Sequence, residues 1–277
     1  MSTPPAGGVL TSGVLAATST DLSWGEIPAL VLPALGDTLV MVGVTMLVVV
    51  ALGVPLGVAL DALSPDGLTP RPVLHKVLSA VVSTGRSLPF LILMAALVPF
   101  TRFVTGTNIG IPAAVVPMAL AGTAFFSRIV ENSLRSVPPS LVRVARASGA
   151  SPLQVLTSVK LSEAVPSILG GLTINTIAMI EYSAIAGTIG AGGIGYVAVT
   201  YGYQRFDHGV MVTTIVVLVA LVAAVQALGD AAVRATTPHS RGGSRPRAPR
   251  LHRLPRLDGQ SPLTTTPRSK ELTDVHH

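Results

Sequence analysis

The chain has 277 residues, of which 49% are hydrophobic and only 12% are charged, and its formal net charge is +6. Soluble domains contain about 25% charged residues, so this composition excludes an ordinary soluble domain and indicates a membrane protein. The absence of cysteine excludes disulfide bonds, thiol catalysis and cysteine metal sites.

Five apolar stretches are each long enough to cross about 30 Å of hydrocarbon as a helix. They cover approximately residues 37–60, 73–100, 109–130, 164–189 and 209–232. Each is continuously apolar and lacks the alternation expected of a membrane β-barrel strand. The sequence therefore predicts an all-α, polytopic membrane protein with five transmembrane helices in a domain over residues 37–235.

The two ends of the chain differ from this domain in composition. Residues 1–36 are expected to form an extracytoplasmic lead-in, and the lack of Lys and Arg before position 26 argues against a secretory signal. Residues 236–277 are rich in Pro, Arg, Ser and Thr, which predicts a disordered basic tail that contacts anionic lipid. A regulatory role for this tail is the alternative. Because the basic excess is concentrated there, a nucleic-acid-binding face on the folded domain is not expected.

Basic residues are distributed unevenly between the two sides of the predicted membrane domain. They are concentrated between spans one and two, between spans three and four, and after span five. The opposite side has only Arg102 and Arg205. The positive-inside rule therefore predicts an extracytoplasmic N-terminus and a cytoplasmic C-terminus.

The loop between spans three and four, residues 133–163, is polar and cationic. Pro138 and Pro139 suit a helix start, and Gly149 suits a helix end near Ala147. Ser151 and Pro152 then favour a second short helix over residues 153–159. We expect two short helices joined by a tight corner that either docks onto a soluble partner or lies on the lipid surface.

This loop resembles the Glu-Ala-Ala loop of binding-protein-dependent ABC importers. The matching positions are Arg143, Val144, Ala145, Gly149, Val159, Leu161 and Ser162, with Arg143 in place of the glutamate and Ser162 in place of the proline. Longer strings resemble the permeases of methionine-uptake ABC transporters, and the resemblance covers about residues 36–228. These strings are residues 85–93, 99–102, 125–132, 182–184, 187–195 and 201–206.

The resemblance implies the type I ABC importer permease fold in a multi-pass protein of the cytoplasmic membrane. The expected assembly is a homodimer with two ABC ATPase subunits and an extracytoplasmic amino-acid-binding protein, and the expected substrate is methionine. No phosphate-binding loop is present in this chain, so it is not expected to be an enzyme; ATP and Mg²⁺ would belong to the ATPase. No cofactor or metal is expected here. The residues expected to couple to the ATPase are Arg143, Ala145, Ala147, Ser148, Gly149, Ala150, Ser151 and Pro152.

Arg86 and Glu181 are the ionisable residues deepest within predicted spans, where a charge is costly and needs a partner or a cavity. We hypothesise that they pair, or that they line the translocation path together with Tyr182 and Ser183. The alternative is a separate partner for each. An ion-coupled secondary amino-acid transporter that uses Arg86 and Glu181 as a relay is the alternative function. A membrane-embedded enzyme is not expected, because the spans contain no recognisable catalytic constellation.

Two features are expected on the outer side. Gly190, Gly192, Gly193 and Gly195 match the letters of a dinucleotide-binding fingerprint, but they follow an apolar span rather than a strand. We instead predict a re-entrant or turn segment that forms an outer gate or contacts the binding protein, with tight packing as the alternative.

The segment that precedes span five contains Tyr201, Tyr203 and Arg205. We predict that these residues either anchor the chain at the membrane interface or contact the binding protein. Small residues of span three are expected to permit close helix contact. They are Ala113, Ala114, Ala119 and Gly122.

Overall fold

The computed structural model describes residues 23–237, and every regular element in that range is helical. Helix α1 covers Ile27–Leu63, α2 Pro72–Ser87, α3 Phe90–Ala96, α4 Val98–Thr105 and α5 Ile111–Arg135. Helices α6 Pro139–Ala147, α7 Pro152–Gln154, α8 Ser162–Ala186, α9 Gly193–Val197 and α10 His208–Thr236 follow. The predicted tail from residue 238 onward and the first 22 residues of the predicted lead-in lie outside the described residues.

The prediction of an all-α membrane fold is confirmed. Within residues 23–237, 4 helical stretches are long and apolar enough to cross a membrane, and the number rises to 5 if the bent pair α2–α3 counts as one span. The first stretch begins at Ile27, earlier than predicted, since proline in the first turn suits a helix start. Residues 27–36 therefore belong to α1 and not to the lead-in.

The second predicted span is not one straight helix. The axes of α2 and α3 differ by 105° across Leu88 and Pro89, and Leu88 is extended, with φ −89° and ψ 132°. Proline lacks an N–H group and disfavours helical backbone in the residue before it. A second break at Leu97 separates α3 from α4. The expectation of a continuous helix over residues 73–100 is therefore wrong.

The fourth span extends further towards the preceding loop than predicted. Pro152–Ala191 is one helical run, in which Val155–Leu161 forms a π-helix between α7 and α8. No glycine or proline lies between residues 153 and 165, so nothing in the local sequence ends the helix. The prediction of a separate short helix over residues 153–159 is wrong.

Helix α5 lies at the centre of the packing. It contacts α1 along much of its length and also contacts α2, α3 and α8, while α10 packs on α8. Gly57 of α1 faces α5 so closely that an added Cβ would lie 2.6 Å from the carbonyl oxygen of Ser127. Gly53, one turn away, faces Phe126. This small-residue pair explains why the two helices approach closely.

Contacts between distant residues sort the loops into two ends of the bundle. At one end, Asp61 of α1 contacts Lys160, and His75 of α2 contacts Glu131 of α5. At the other, Thr38 of α1 accepts a hydrogen bond from the backbone N–H of Ile194 at 2.9 Å. The segments predicted to be cytoplasmic therefore share one end, which we call the inner end; its orientation in the membrane stays a prediction.

Candidate functional site

The most defined feature of the inner end is a corner that we call the coupling elbow, residues 139–154. Helix α6 ends in a Schellman motif: Gly149 N–H donates to the carbonyl of Arg146 at 3.0 Å, and Ala150 N–H donates to that of Ala145 at 3.1 Å. Gly149 has φ +82°, a left-handed conformation that glycine adopts without penalty. The predicted tight corner at Gly149 is confirmed.

The second arm of the elbow begins with a capping box. Ser151 N–H donates to Oε1 of Gln154 at 2.8 Å, and Gln154 N–H donates to the hydroxyl oxygen of Ser151 at 3.3 Å. This reciprocal pair satisfies two backbone donors at the helix start. Both arms are thus held by local hydrogen bonds, and the corner has a defined shape before any partner binds.

The elbow presents its side chains outward. No residue of α6 is buried, and Arg143, Ala147, Ser148, Gly149, Ser151 and Pro152 are exposed, while Ala145 and Ala150 are half-buried. Arg143 and Arg146 lie three positions apart, on one face of α6, and within residues 23–237 neither forms an ion pair. Val144 and Leu153 are exposed as well. A mixed apolar and cationic surface of this kind suits a protein groove.

A buried ion pair that the sequence analysis missed lies directly behind the elbow. Lys160 Nζ donates to Oδ2 of Asp61 at 2.5 Å, and the two residues are 8% and 1% exposed. Asp61 lies in the last turn of α1, and Lys160 lies in the π-helical stretch that follows the elbow. The pair joins segments 99 residues apart in sequence, which no local pattern could reveal.

A second buried carboxylate, Glu131, ties α5 to α2. Its Oε2 accepts from Arg128 Nη1 at 2.6 Å, and its Oε1 lies 3.2 Å from Arg135 Nη2 and 3.6 Å from His75 Nε2. Arg128 also donates from Nη2 to the carbonyl oxygen of Ser79 at 2.9 Å. The spacing of Arg128, Glu131 and Arg135 along one helix was a readable signal for this cluster.

The hypothesis that Arg86 and Glu181 pair is wrong. Within residues 23–237 no ion pair links them, and both Arg86 and Glu181 are exposed. The Arg86 guanidinium instead lies 5.5 Å from the ring centroid of Phe125. Arginine over an aromatic face is a favourable cation–π arrangement, which gives Arg86 a partner within its own chain.

Of the other two candidates for the translocation path, Tyr182 is half-buried and Ser183 is buried. Tyr182 stacks on Phe90, with ring centroids 4.3 Å apart and planes within 2°. The Ser183 hydroxyl donates to the carbonyl of Ile180 at 2.7 Å, and Ser183 is buried. Tyr182 thus attaches α8 to the helix that follows the bend in the second span.

The predicted glycine segment at the other end is an irregular turn. Gly190, Gly192 and Gly193 have φ values of 98°, 86° and 78°, and α9 then folds back against α8 and α1. Gly195 is buried and faces the backbone of Ala184 so closely that a Cβ would collide with it. The turn is confirmed, and close packing accounts for Gly195. A gating role stays a prediction.

The aromatic residues before α10 form a small surface cluster. The Arg205 guanidinium lies 4.4 Å from the ring centroid of Tyr201, and Tyr201 meets Tyr196 edge to face at 6.4 Å. Tyr203 is exposed. Arg205 is thus held by a ring, while Tyr203 remains available for lipid or a partner.

The small residues of span three do not face outward. Ala113, Ala114 and Ala119 are buried, and a Cβ on Gly122 would lie 2.7 Å from Val49 of α1. The expectation that they permit close helix contact is confirmed, and the contact lies within the chain. They are used within the chain because α5 is the central helix and is packed on several sides.

The known proteins that this chain resembles are membrane components of transport systems. Residues 53–239 match the family described as "Binding-protein-dependent transport system inner membrane component". The "Probable D-methionine transport system permease protein MetI" of Vibrio cholerae is 45% identical over 205 residues, covering 74% of this chain and 91% of that protein. The protein of the same name from Pasteurella multocida is 36% identical over 194 residues, covering 70% of this chain and 89% of that protein.

Solved structures give the same fold. A chain from "Inward facing conformations of the MetNI methionine ABC transporter" aligns with a TM-score of 0.76 and 38% identity, over 78% of this chain and 100% of that chain. A chain from an amino acid ABC transporter crystallised with histidines aligns with a TM-score of 0.59 at 18% identity, and it supports the fold alone.

Proposed function

The chain belongs to the family of binding-protein-dependent transport system inner membrane components, and on that premise we propose that it is the permease subunit of an ATP-driven methionine importer. It is a multi-pass protein of the cytoplasmic membrane. The observation that carries the proposal is the coupling elbow, which is exposed, held by its own hydrogen bonds and continuous with a membrane-spanning helix. Chemical energy would come from a separate ATPase subunit that holds ATP and Mg²⁺.

The elbow is proposed to seat in a groove of that ATPase. A rigid element transmits displacement better than a flexible loop does, and the elbow leads without a turn into the run Pro152–Ala191. When the groove moves, α8 would move with it along its whole length, as far as the glycine segment at the outer end. Alternating access between the two sides of the membrane would follow from this motion.

The chemistry of the elbow also defines the groove that receives it. Residues 132–162 contain no Asp or Glu, and Arg143 and Arg146 project from α6. Complementary charge favours docking and suppresses wrong partners. We therefore propose that the ATPase groove is acidic and that it contains an apolar surface that contacts Val144 and Leu153.

The remaining partners belong to the proposal as well. Two copies of this chain are proposed to form the pathway with two ATPase subunits, since two-fold pairing is the commonest closed symmetry. Arg86 and Glu181 are exposed, which supports the proposal that they line the path. Tyr182 is half-buried and Ser183 is buried, so these two residues are proposed to support the wall of the path. At the outer end, Tyr203, Arg205 and the glycine segment would receive the methionine-binding protein.

Reconstitution separates this proposal from an ion-coupled transporter. Uptake of labelled methionine is measured in proteoliposomes that hold the chain with its ATPase subunit and binding protein, with and without ATP. Uptake is expected to require the ATPase and ATP and to persist when an ionophore collapses the proton gradient. Uptake by the chain alone, abolished by the ionophore, would establish the secondary transporter instead.

A further inference from the structure

The buried pair Asp61–Lys160 is neither part of the exposed elbow surface nor among the candidates for the translocation path. Asp61 is held from both sides: its carboxylate meets Lys160 Nζ, and its backbone carbonyl accepts from the hydroxyl of Ser64 at 2.8 Å and from the Ser64 N–H at 3.2 Å. The last turn of α1 is thereby fixed in direction. The Lys160 side chain is the direct polar connection from this turn to the segment that leaves the elbow.

A buried ion pair is weak evidence for stability. Removing two charges from water is costly, and an apolar pair of similar volume often stabilises a protein as well or better. The close approach of α1 to α5 is already provided by Gly53 and Gly57. A role in fixing one segment relative to another therefore explains the pair better than a contribution to folding does.

The location of the pair points to the segment it fixes. Lys160 lies within Val155–Leu161, between the exposed elbow and α8. Any displacement of the elbow that reaches α8 must pass through this stretch, because the backbone is continuous. Asp61 is a polar contact through which the same displacement can enter the inner end of α1 before it reaches α8.

We propose that Asp61–Lys160 is a positioning contact that makes the inner end of α1 move together with the coupling elbow. Without it, α1 follows α8 only through the apolar packing between the two helices, and their inner ends shift out of step. The inference rests on the proposed function, since it presupposes an ATPase acting on the elbow. It assigns a transmission role to two residues that are not among the candidates for the translocation path.

The test uses the full complex of chain, ATPase and binding protein in proteoliposomes, and it measures methionine transported per ATP hydrolysed. The first variant is the neutral pair Asp61→Asn with Lys160→Gln, which leaves no unpaired buried charge. The second is the exchanged pair Asp61→Lys with Lys160→Asp. Glu131→Gln is the matched control, because it removes a buried carboxylate at the same end that contacts α2 and α5 but not the elbow segment.

The neutral pair is expected to assemble and hydrolyse ATP, while methionine transported per ATP falls at least about fivefold, the lower range of energetic coupling between sites. The exchanged pair is expected to recover much of that ratio, and Glu131→Gln to keep it for whatever complex forms. A neutral pair with an unchanged ratio would overturn the proposal. Failure of the neutral pair to assemble would overturn it too, by assigning the contact to folding. If the unsubstituted complex shows no ATP-dependent uptake, the proposed function itself fails.

Discussion

The shape of the coupling elbow depends on one backbone conformation, and Gly149 provides the sharpest test of it. At φ +82° a side chain strains the backbone, yet an added Cβ would meet nothing within 4 Å. The penalty of a substitution is therefore purely conformational, about 1–2 kcal/mol for an L-residue in the left-handed region. Valine, being β-branched, belongs at the upper end of that range.

This strain translates into a binding loss. If only the native corner fits the ATPase groove, a penalty of about 1–2 kcal/mol lowers the competent fraction by up to about 5- to 30-fold. The apparent affinity for the ATPase falls by the same factor. We expect Gly149→Ala near the lower value and Gly149→Val near the upper one, without loss of folded permease.

The assay is titration of detergent-solubilised permease with its ATPase subunit, alongside ATP-dependent methionine uptake. Gly36→Ala is the matched control: its Cβ also meets nothing within 4 Å, but Gly36 lies within α1 and has no positive φ. The control is expected to bind as the unsubstituted chain does. A penalty of about 1.4 kcal/mol would weaken binding about tenfold. If Gly149→Val binds the ATPase within about twofold of the unsubstituted chain, a preformed elbow is refuted.

Three further experiments test the packing and the charges. Glu131→Gln leaves Arg128 and its neighbours without a counter-charge, so thermal stability should fall as for a broken buried pair, about 3–5 kcal/mol; an unchanged melting temperature would contradict the cluster. Gly57→Leu should overpack α1 against α5 and cost at least about 1–3 kcal/mol, whereas Gly43→Leu, where a Cβ meets nothing, should melt near the parent temperature. Arg86→Ala and Glu181→Ala should change transport additively to within about 0.5 kcal/mol, and a larger interaction energy would restore the discarded pairing.

Local chemistry made much of the inner end predictable. Gly149 and the prolines at 138, 139 and 152 act through their own backbone restrictions, so the corner could be read directly from the sequence. The capping box was equally legible, since Ser151 and Gln154 have the required spacing of three. The bend after Leu88 was also signalled by Pro89, but a long apolar stretch outweighed that signal in the prediction.

The contacts that hold the elbow in place could not be predicted in the same way. Asp61 and Lys160 are 99 residues apart, and their meeting depends on how α1 crosses the bundle. The Arg86–Glu181 hypothesis failed for the same reason: similar depth in two spans says nothing about which helix faces they occupy. Apolar surface facing lipid gives a weaker facial pattern than a soluble core does, so helix rotation was not encoded in the periodicity.

The coupling elbow is expected to lie in the cytoplasm and to be covered by an ATPase. Because the chain has no cysteine, Ala147→Cys on exposed α6 introduces a unique target for a membrane-impermeant maleimide. We expect no labelling in intact cells, labelling in inside-out vesicles stripped of the ATPase, and protection when the ATPase is restored. Labelling from outside intact cells would rule out a cytoplasmic elbow, and labelling that the ATPase does not prevent would rule out docking at the elbow.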